Sequence, residues 1–269
     1  MGEDMKFEHY EALAFEREGR ILTIRMNRPD VLNAVSPALH EEMARVFFDA
    51  ADDADSDIII LTGSGSAFSA GGDLGWLEDQ AAGRREPFVN EAKSMRRIVM
   101  GLLDCPKPVI AKVNGDAIGF GASIALLCDI VIAADHVRFA DPHVKLGLVA
   151  GDGGALIWPQ LIGFGKAKHY LLTGEAIGAV EAERCNLISF AVPTDELDEY
   201  VAEYATRLAR GAQSAIRYTK SVTNIALRQL FSSVFEAGVA YEGLATYTAD
   251  FGEALNAIRE KRHPSFTGR

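Results

Sequence analysis

The chain has 269 residues, 48% of them hydrophobic, and a formal net charge of −11 with a pI near 5.1. That is enough for one large domain with a proper core plus an accessory element, and the composition is not that of a disordered chain. With no basic run to offset the acidity, nucleic acid and anionic membranes are argued against as partners.

Three cysteines, Cys105, Cys128 and Cys185, are odd in number, widely spaced and set in apolar or helical contexts. They read as reduced packing residues of a cytoplasmic protein, not as a disulfide framework or a metal site. The acidic first ten residues lack the apolar stretch of a signal or transit peptide, and no run approaches membrane-spanning length.

Two strands are predicted over residues 12–17 and 21–26, joined at the hairpin turn Glu18-Gly19-Arg20. A helix follows to about residue 52, with Ser36 as N-cap and Pro37 at its first position. The β-branched run Ile58-Ile59-Ile60-Leu61-Thr62 is a buried strand. Residues 76–87, rich in Gly, Ala and charge, are expected to be a mobile stretch. Helix resumes over 88–103 and stops before Pro106 and Pro108. A second buried strand, 108–113, precedes a helix over 119–127, a strand over 130–134 and a short run over 137–140. From residue 195 strand signals disappear, and helices are predicted over 197–210, 212–229 and 231–250. The βα rhythm followed by a helix-only tail predicts an α/β core over 1–194 and a helical region over 195–269. Val234, Val239, Leu244 and Tyr247 in the tail are apolar positions that need covering.

Each buried strand runs into a glycine motif, Ala67-Phe68-Ser69-Ala70-Gly71-Gly72-Asp73 and Val113-Asn114-Gly115-Asp116-Ala117-Ile118-Gly119-Phe120-Gly121. Glycine lets backbone approach a ligand closely, and the first turn of a following helix leaves N–H groups unpaired in a field that favours negative charge. The pair can therefore aim two N–H groups at one oxyanion. Neither motif continues as a phosphate loop or matches a dinucleotide fingerprint.

These motifs, with Asn27-Arg28-Pro29-Asp30-Val31-Leu32-Asn33-Ala34, Cys128-Asp129-Ile130-Val131-Ile132-Ala133, Leu171-Leu172-Thr173-Gly174 and the closing Glu260-Lys261-Arg262-His263-Pro264-Ser265-Phe266, give a chain that resembles the crotonase superfamily, the enoyl-CoA hydratase and isomerase group, over nearly its whole length. The resemblance implies a spiral of ββα units with a C-terminal helical element that mediates trimers or dimers of trimers. It implies that the N–H groups of Gly72 and Phe120 form an oxyanion hole for a thioester carbonyl. Phe120 stands where the family usually has glycine, which narrows or reshapes the pocket. The segment 27–34 and the first glycine motif would line a groove for coenzyme A, carried as part of the substrate, with Arg28, Val31, Asn33, Ala70, Asp73 and Leu74 as its contacts. Arg25, Arg28, Lys261 and Arg262 are candidates for offsetting an anionic cofactor. No permanently bound cofactor and no metal site are expected.

The chain departs from the hydratases where two glutamates are usual, since Ser123 and His143 occupy those positions. Ser123 can hydrogen-bond water or ligand, but a structural role in a small-residue interface is at least as natural. Asp152, nine residues after His143, can accept an imidazole N–H, and an Asp-His dyad makes a competent general base near neutral pH. The plain alternatives are an N-cap for Asp152 and a loop histidine for His143. The runs Gly151-Asp152-Gly153, Trp158-Pro159 and Tyr170-Leu171-Leu172-Thr173-Gly174 also resemble, locally, the 6-oxocamphor hydrolase branch of the superfamily, which cleaves a carbon-carbon bond of cyclic β-diketones.

Three readings follow. The chain is an acyl-CoA enzyme using His143 and Asp152, a CoA-independent diketone hydrolase, or a scaffold that kept the fold without the chemistry. The pocket should depend on Trp76, Leu77 and Phe120. The remaining histidines, His9, His40, His136, His169 and His263, have no metal-like spacing. Tyr241 and Tyr247 are expected to pack within the tail.

Overall fold

Most of the apolar runs become strands buried on both faces, as parallel strands covered by helices are. The computed structural model describes residues 7–84 and 88–269. Its larger sheet has six strands in the order β1-β2-β3-β5-β7-β10, namely β1 (Leu13–Glu18), β2 (Ile21–Met26), β3 (Ile58–Gly63), β5 (Val109–Val113), β7 (Ile130–Ala134) and β10 (Phe190–Val192). The β1–β2 hairpin is antiparallel, turning at Gly19 with φ +55°, and the other pairs are parallel. Every residue of β3 is buried.

The second sheet has the order β4-β6-β8-β9, made by β4 (Ala67–Ser69), β6 (Asp116–Ile118), β8 (Arg138–Ala140) and β9 (Ala176–Gly178). The chain therefore goes repeatedly from a strand of the large sheet to one of the small sheet and then to helix. The helices are α2 (Leu74–Ala81) and α3 (Phe88–Asp104) after β4, α4 (Phe120–Leu127) after β6, and α5 (Gly154–Thr173) after β8. This is the α/β spiral of ββα turns that the resemblance implied. The strands β4, β6, β9 and β10 had no sequence signal of their own, because three residues are too few to show a period.

The first helix, α1 (Pro37–Ala51), begins where expected, and the Ser36 side chain accepts the Leu39 N–H. The stretch expected to be mobile is different. Residues 74–81 are helical because Asp73 accepts the N–H groups of Gly75 and Trp76 and so satisfies two of the helix's unpaired donors. Residues 85–87 of that stretch lie outside the described residues.

The tail follows α6 (Ala179–Arg184) and β10. It contains α7 (Leu197–Ala209), α8 (Gln213–Thr223), α9 (Ile225–Leu230), a π-turn at Phe231–Phe235, α10 (Glu236–Ala245) and α11 (Ala249–Arg259). The helix expected over 212–229 is interrupted at Asn224, and the one expected over 231–250 breaks after Ala245, with Thr248 capping α11 by accepting the Phe251 N–H. The tail packs on its own core through Val239, Phe235 and Phe231, and a small cluster of Leu148, Phe251 and Leu255 seats α11 beside the site. Leu244, Tyr241 and Tyr247 remain 64%, 64% and 80% exposed, so the two tyrosines do not pack within the tail. No helix among the described residues is long and apolar enough to cross a membrane.

Candidate active site

Pairing of β4 with β6 sets the two glycine motifs side by side. The approach is close: a Cβ on Gly71 would lie 2.8 Å from the Ile118 carbonyl oxygen, and Gly71 and Gly119 have φ of +84° and +54°. The Gly72 and Phe120 N–H groups make no hydrogen bond to any described residue. Phe120 is the first residue of α4, where the N–H has no intrahelical acceptor. At Gly72 the bridge to Val35 uses the neighbouring groups, Val35 N–H to Gly71 O and Asp73 N–H to Val35 O. Both residues line one cavity of about 120 Å³. Its apolar wall includes Trp76, Leu77, Met95 and Leu148, and its polar wall is His143, Asp152, Glu242 and Glu91.

His143 follows β8 by way of Pro142 and opens a short turn over His143–Leu146. Its ring is only 12% exposed and sits 3.7 Å, at Cε1, from where a Cβ of Gly119 would be. Its Nδ1 is 2.5 Å from Asp141 Oδ1, and its Nε2 is 3.4 Å from Asp152 Oδ2. The expected pair of His143 and Asp152 is thus brought together, but the shorter contact goes to Asp141, which the sequence reading did not single out. Ser123 is fully buried and donates its hydroxyl to Asp152 Oδ1 at 2.8 Å. It holds Asp152 in place and does not line the cavity. Asp152 also accepts from the Gly154 N–H, while Gly153 occupies the N-cap position of α5.

Glu242 enters from α10. The tail reaches the turn because Gly151 and Gly238 have no side chains; a Cβ on Gly151 would be 2.4 Å from Gly238 O and 2.7 Å from Glu242 Oε2. No local signal marks this residue, which lies some ninety positions from Asp152. His40 was given little weight in sequence, yet it is buried in the same wall, its ring 5.3 Å from that of Trp76 and 5.4 Å from that of Phe120.

Burial opposes a charge on His143, but Asp141, Asp152 and Glu242 around the ring outweigh it and raise its pKa well above 6.5. Burial raises the Asp152 carboxyl above 3.8, only partly offset by the charge of His143 and the hydrogen bonds from Ser123 and Gly154. Burial likewise raises Glu242 well above 4.5, with His143 pulling it down and Asp152, Glu91 and Asp141 pushing it further up. Crowded carboxyls cannot all ionise, and Glu242, which burial holds well above 4.5 and whose Oε2 has no hydrogen-bond partner among the described residues, is the natural carrier of a proton. The arrangement offers a neutral acid, an imidazole between two carboxylates and two backbone donors on one cavity. Single donor atoms of Asp141, His143 and Asp152 lie within 4.8 Å of one another. The carboxylates face opposite nitrogens of one ring, hydrogen-bonded at Nδ1 and 3.4 Å away at Nε2, so they flank the imidazole rather than turn all three groups toward one cation.

The groove candidates lie on two segments tied by backbone, with Ala70 N–H to Leu32 O and Val35 N–H to Gly71 O. Val31, Leu32 and Leu74 are 44%, 48% and 42% exposed, and Ala70 lines the cavity. Arg28 donates to the Ala34 carbonyl and stands 3.5 Å from Asp73, which caps α2. Asn33 is fully buried, its amide donating to Ser64 O and Ala67 O and its carbonyl accepting from Arg28 N–H. Its side chain is committed to the loop, not presented to a ligand. Arg25 pairs with Glu16, and Arg262 with Glu253 and Glu260.

The enoyl-CoA hydratase/isomerase family model matches residues 16–269. A probable enoyl-CoA hydratase of Mycobacterium bovis is 36% identical over 265 residues, 97% of this chain and 99% of that protein. Among solved structures, an enoyl-CoA hydratase/isomerase from Mycobacterium paratuberculosis superposes with a TM-score of 0.86 at 36% identity, over 91% of this chain and 97% of the other. A β-diketone hydrolase from the cyanobacterium Anabaena, bound to (S)-3-oxocyclohexyl acetic acid, superposes with a TM-score of 0.84 at 31% identity, over 91% and 98%. With a cavity lined by both glycine motifs and relatives matched along almost their full length, the chain belongs to the enoyl-CoA hydratase/isomerase family of enzymes.

Proposed function

We propose that the enzyme acts on an acyl-CoA by holding the thioester oxygen between the N–H groups of Gly72 and Phe120 while an enolate forms, with His143 and Asp152 moving the proton or activating water. The observation that carries this reading is the pair of unengaged backbone donors on the same cavity as His143. Fixed donors in a cavity that excludes water stabilise charge as it develops on oxygen, and removal of one typically costs about 2.7 to 4 kcal/mol of transition-state stabilisation. The exposed Val31, Leu32 and Leu74, on segments joined to the first glycine motif, suit the pantetheine and adenine parts of coenzyme A. Calorimetry with acetoacetyl-CoA, with free CoA as control, tests the hole and the groove together. Tight binding of the thioester is expected, and no binding by folded protein overturns the reading.

A second reading is favoured by one specific combination, a diketone hydrolase neighbour together with Ser123 and His143 at the hydratases' glutamate positions. In it, water activated at His143 adds to one carbonyl of a cyclic β-diketone. The carbon-carbon bond breaks, its electron pair passes to the other carbonyl as an enolate on Gly72 and Phe120, and the neutral Glu242 protonates the enolate carbon. A cavity of about 120 Å³ suits a single small ring, being of the order of the ~150 Å³ that admits benzene. Cleavage of a small cyclic β-diketone without CoA, lost in both His143→Ala and Asp152→Asn, would establish this reading; cleavage that persists in both would remove it.

The tail over 195–269 is proposed to mediate a homotrimer or dimer of trimers, supported by the exposed Tyr218, Val222 and Ile225 on α8 and α9. A cytoplasmic location is proposed on the free state of Cys105, Cys128 and Cys185.

A further inference from the structure

Two carboxylates approach His143, and they are not equivalent. Asp141 is fully buried and does not line the cavity, whereas Asp152 does. Both Asp141 and His143 are held by the backbone on either side of Pro142. The Ala140 carbonyl at the end of β8 accepts the Gly119 N–H, and the following turn is closed by Lys145 N–H to Pro142 O and Leu148 N–H to His143 O. This geometry sets Asp141 Oδ1 2.5 Å from Nδ1. The other oxygen, Oδ2, is buried with no hydrogen-bond partner among the described residues and faces Gly154, where a Cβ would lie 1.9 Å away. Among the described residues the imidazole is the side-chain partner of this carboxylate, and the missing side chain at 154 is what gives it room. Asp152, by contrast, is engaged on Oδ1 by Ser123 and is 3.4 Å from Nε2 through Oδ2, longer than an ordinary N–H···O bond.

We infer that Asp141, not Asp152, fixes the tautomer of His143, so that Nε2 carries the lone pair toward the cavity and Asp152 stands on the reacting side of the ring. An ionised carboxylate accepts only, so the proton between Asp141 and the ring belongs to Nδ1, and the neutral ring is then a base at Nε2. Asp141 is a positioning residue in this scheme. Asp152 and Nε2 together form the polar edge that meets water or substrate, with Glu242 the third group on that edge. The inference rests on reading His143 as the proton-transfer group, but its test needs no substrate.

The test is a long-range ¹H–¹⁵N spectrum of the full chain labelled in histidine, with His143 assigned by its loss in His143→Gln. Above the ring's pKa, wild type is expected to show a protonated Nδ1 and an unprotonated Nε2. Asp141→Asn should mix or reverse that pattern and bring the His143 pKa down toward 6.5, while Asp152→Asn should leave Nδ1 protonated. A wild-type ring protonated at Nε2, or a tautomer that follows Asp152→Asn and ignores Asp141→Asn, overturns the assignment. If Asp141→Asn does not fold, the wild-type and Asp152→Asn spectra decide it alone. Failure to find a CoA or diketone substrate leaves these spectra unaffected, so the two ideas fail separately.

Discussion

Replacing Glu242 by glutamine keeps the side chain's shape and removes its proton equilibrium. In the unfolded chain the group titrates near 4.5, and in the folded protein burial holds it well above that. Through the interval between these values the folded state keeps a proton that the unfolded state has released, so stability falls as pH rises. His143 acts in the same sense, its contribution being complete below 6.5 and lost as pH rises through its raised folded value. Glu242→Gln should therefore gain melting temperature relative to wild type, by a margin that widens as pH rises from 4.5; a margin constant with pH would show that Glu242 is ionised when folded. Ser123→Ala leaves Asp152 without its hydroxyl donor, and we expect about 1 to 3 kcal/mol of destabilisation by urea titration. Gly72→Pro removes one N–H of the oxyanion hole outright, and the folded variant should lose turnover under either reading of the substrate.

At the scale of elements, the site depends on close contacts between segments far apart in sequence. Gly151→Ala would push α10 away from the turn that carries Asp152, since the new Cβ meets the Gly238 carbonyl oxygen at 2.4 Å. About 1 to 3 kcal/mol of overpacking cost is expected in denaturant unfolding, together with a weakened effect of Glu242 on the pH profile. Lys107 is buried and donates its ammonium to the carbonyls of Ala50 and Asp53 and to the Ser56 hydroxyl, closing the C-terminal end of α1. A cation at that end satisfies carbonyls the helix leaves unpaired. Neither contact was visible in sequence, because both join residues many tens of positions apart and a lone glycine or lysine has no pattern.

At the scale of the molecule, α8 and α9 leave Tyr218, Val222 and Ile225 exposed at a spacing that puts them on one helical face, while Lys220 beneath them is buried against Asp129. If this stripe joins copies, sedimentation of the wild type should give a trimer or hexamer, and Tyr218→Glu with Val222→Glu should give smaller species with the same secondary structure. A wild-type monomer would leave the stripe without that role. The tail also serves the site within its own chain, because α10 supplies Glu242 and α11 packs beside the turn of His143 through Phe251, Leu255 and Leu148.

The sequence by itself determined α1, five strands of the larger sheet and the family, because apolar runs, the Ser36-Pro37 helix start and two glycine motifs are local patterns whose physics acts over a few residues. It also located Gly72, Phe120, His143, Asp152, Trp76 and Leu77, since each sits within or next to such a motif, and all of them line one cavity. Tertiary structure alone decided their partners. Ser123 turned inward to Asp152, Asn33 was buried in its loop, and Asp141 took the near side of His143. Glu242 and His40 arrived from helices at the two ends of the chain. A carboxylate's role is set by what surrounds it at 3 to 4 Å, as the 3.4 Å contact between Asp152 and His143 shows, and for these residues the surroundings are assembled only when distant segments pack.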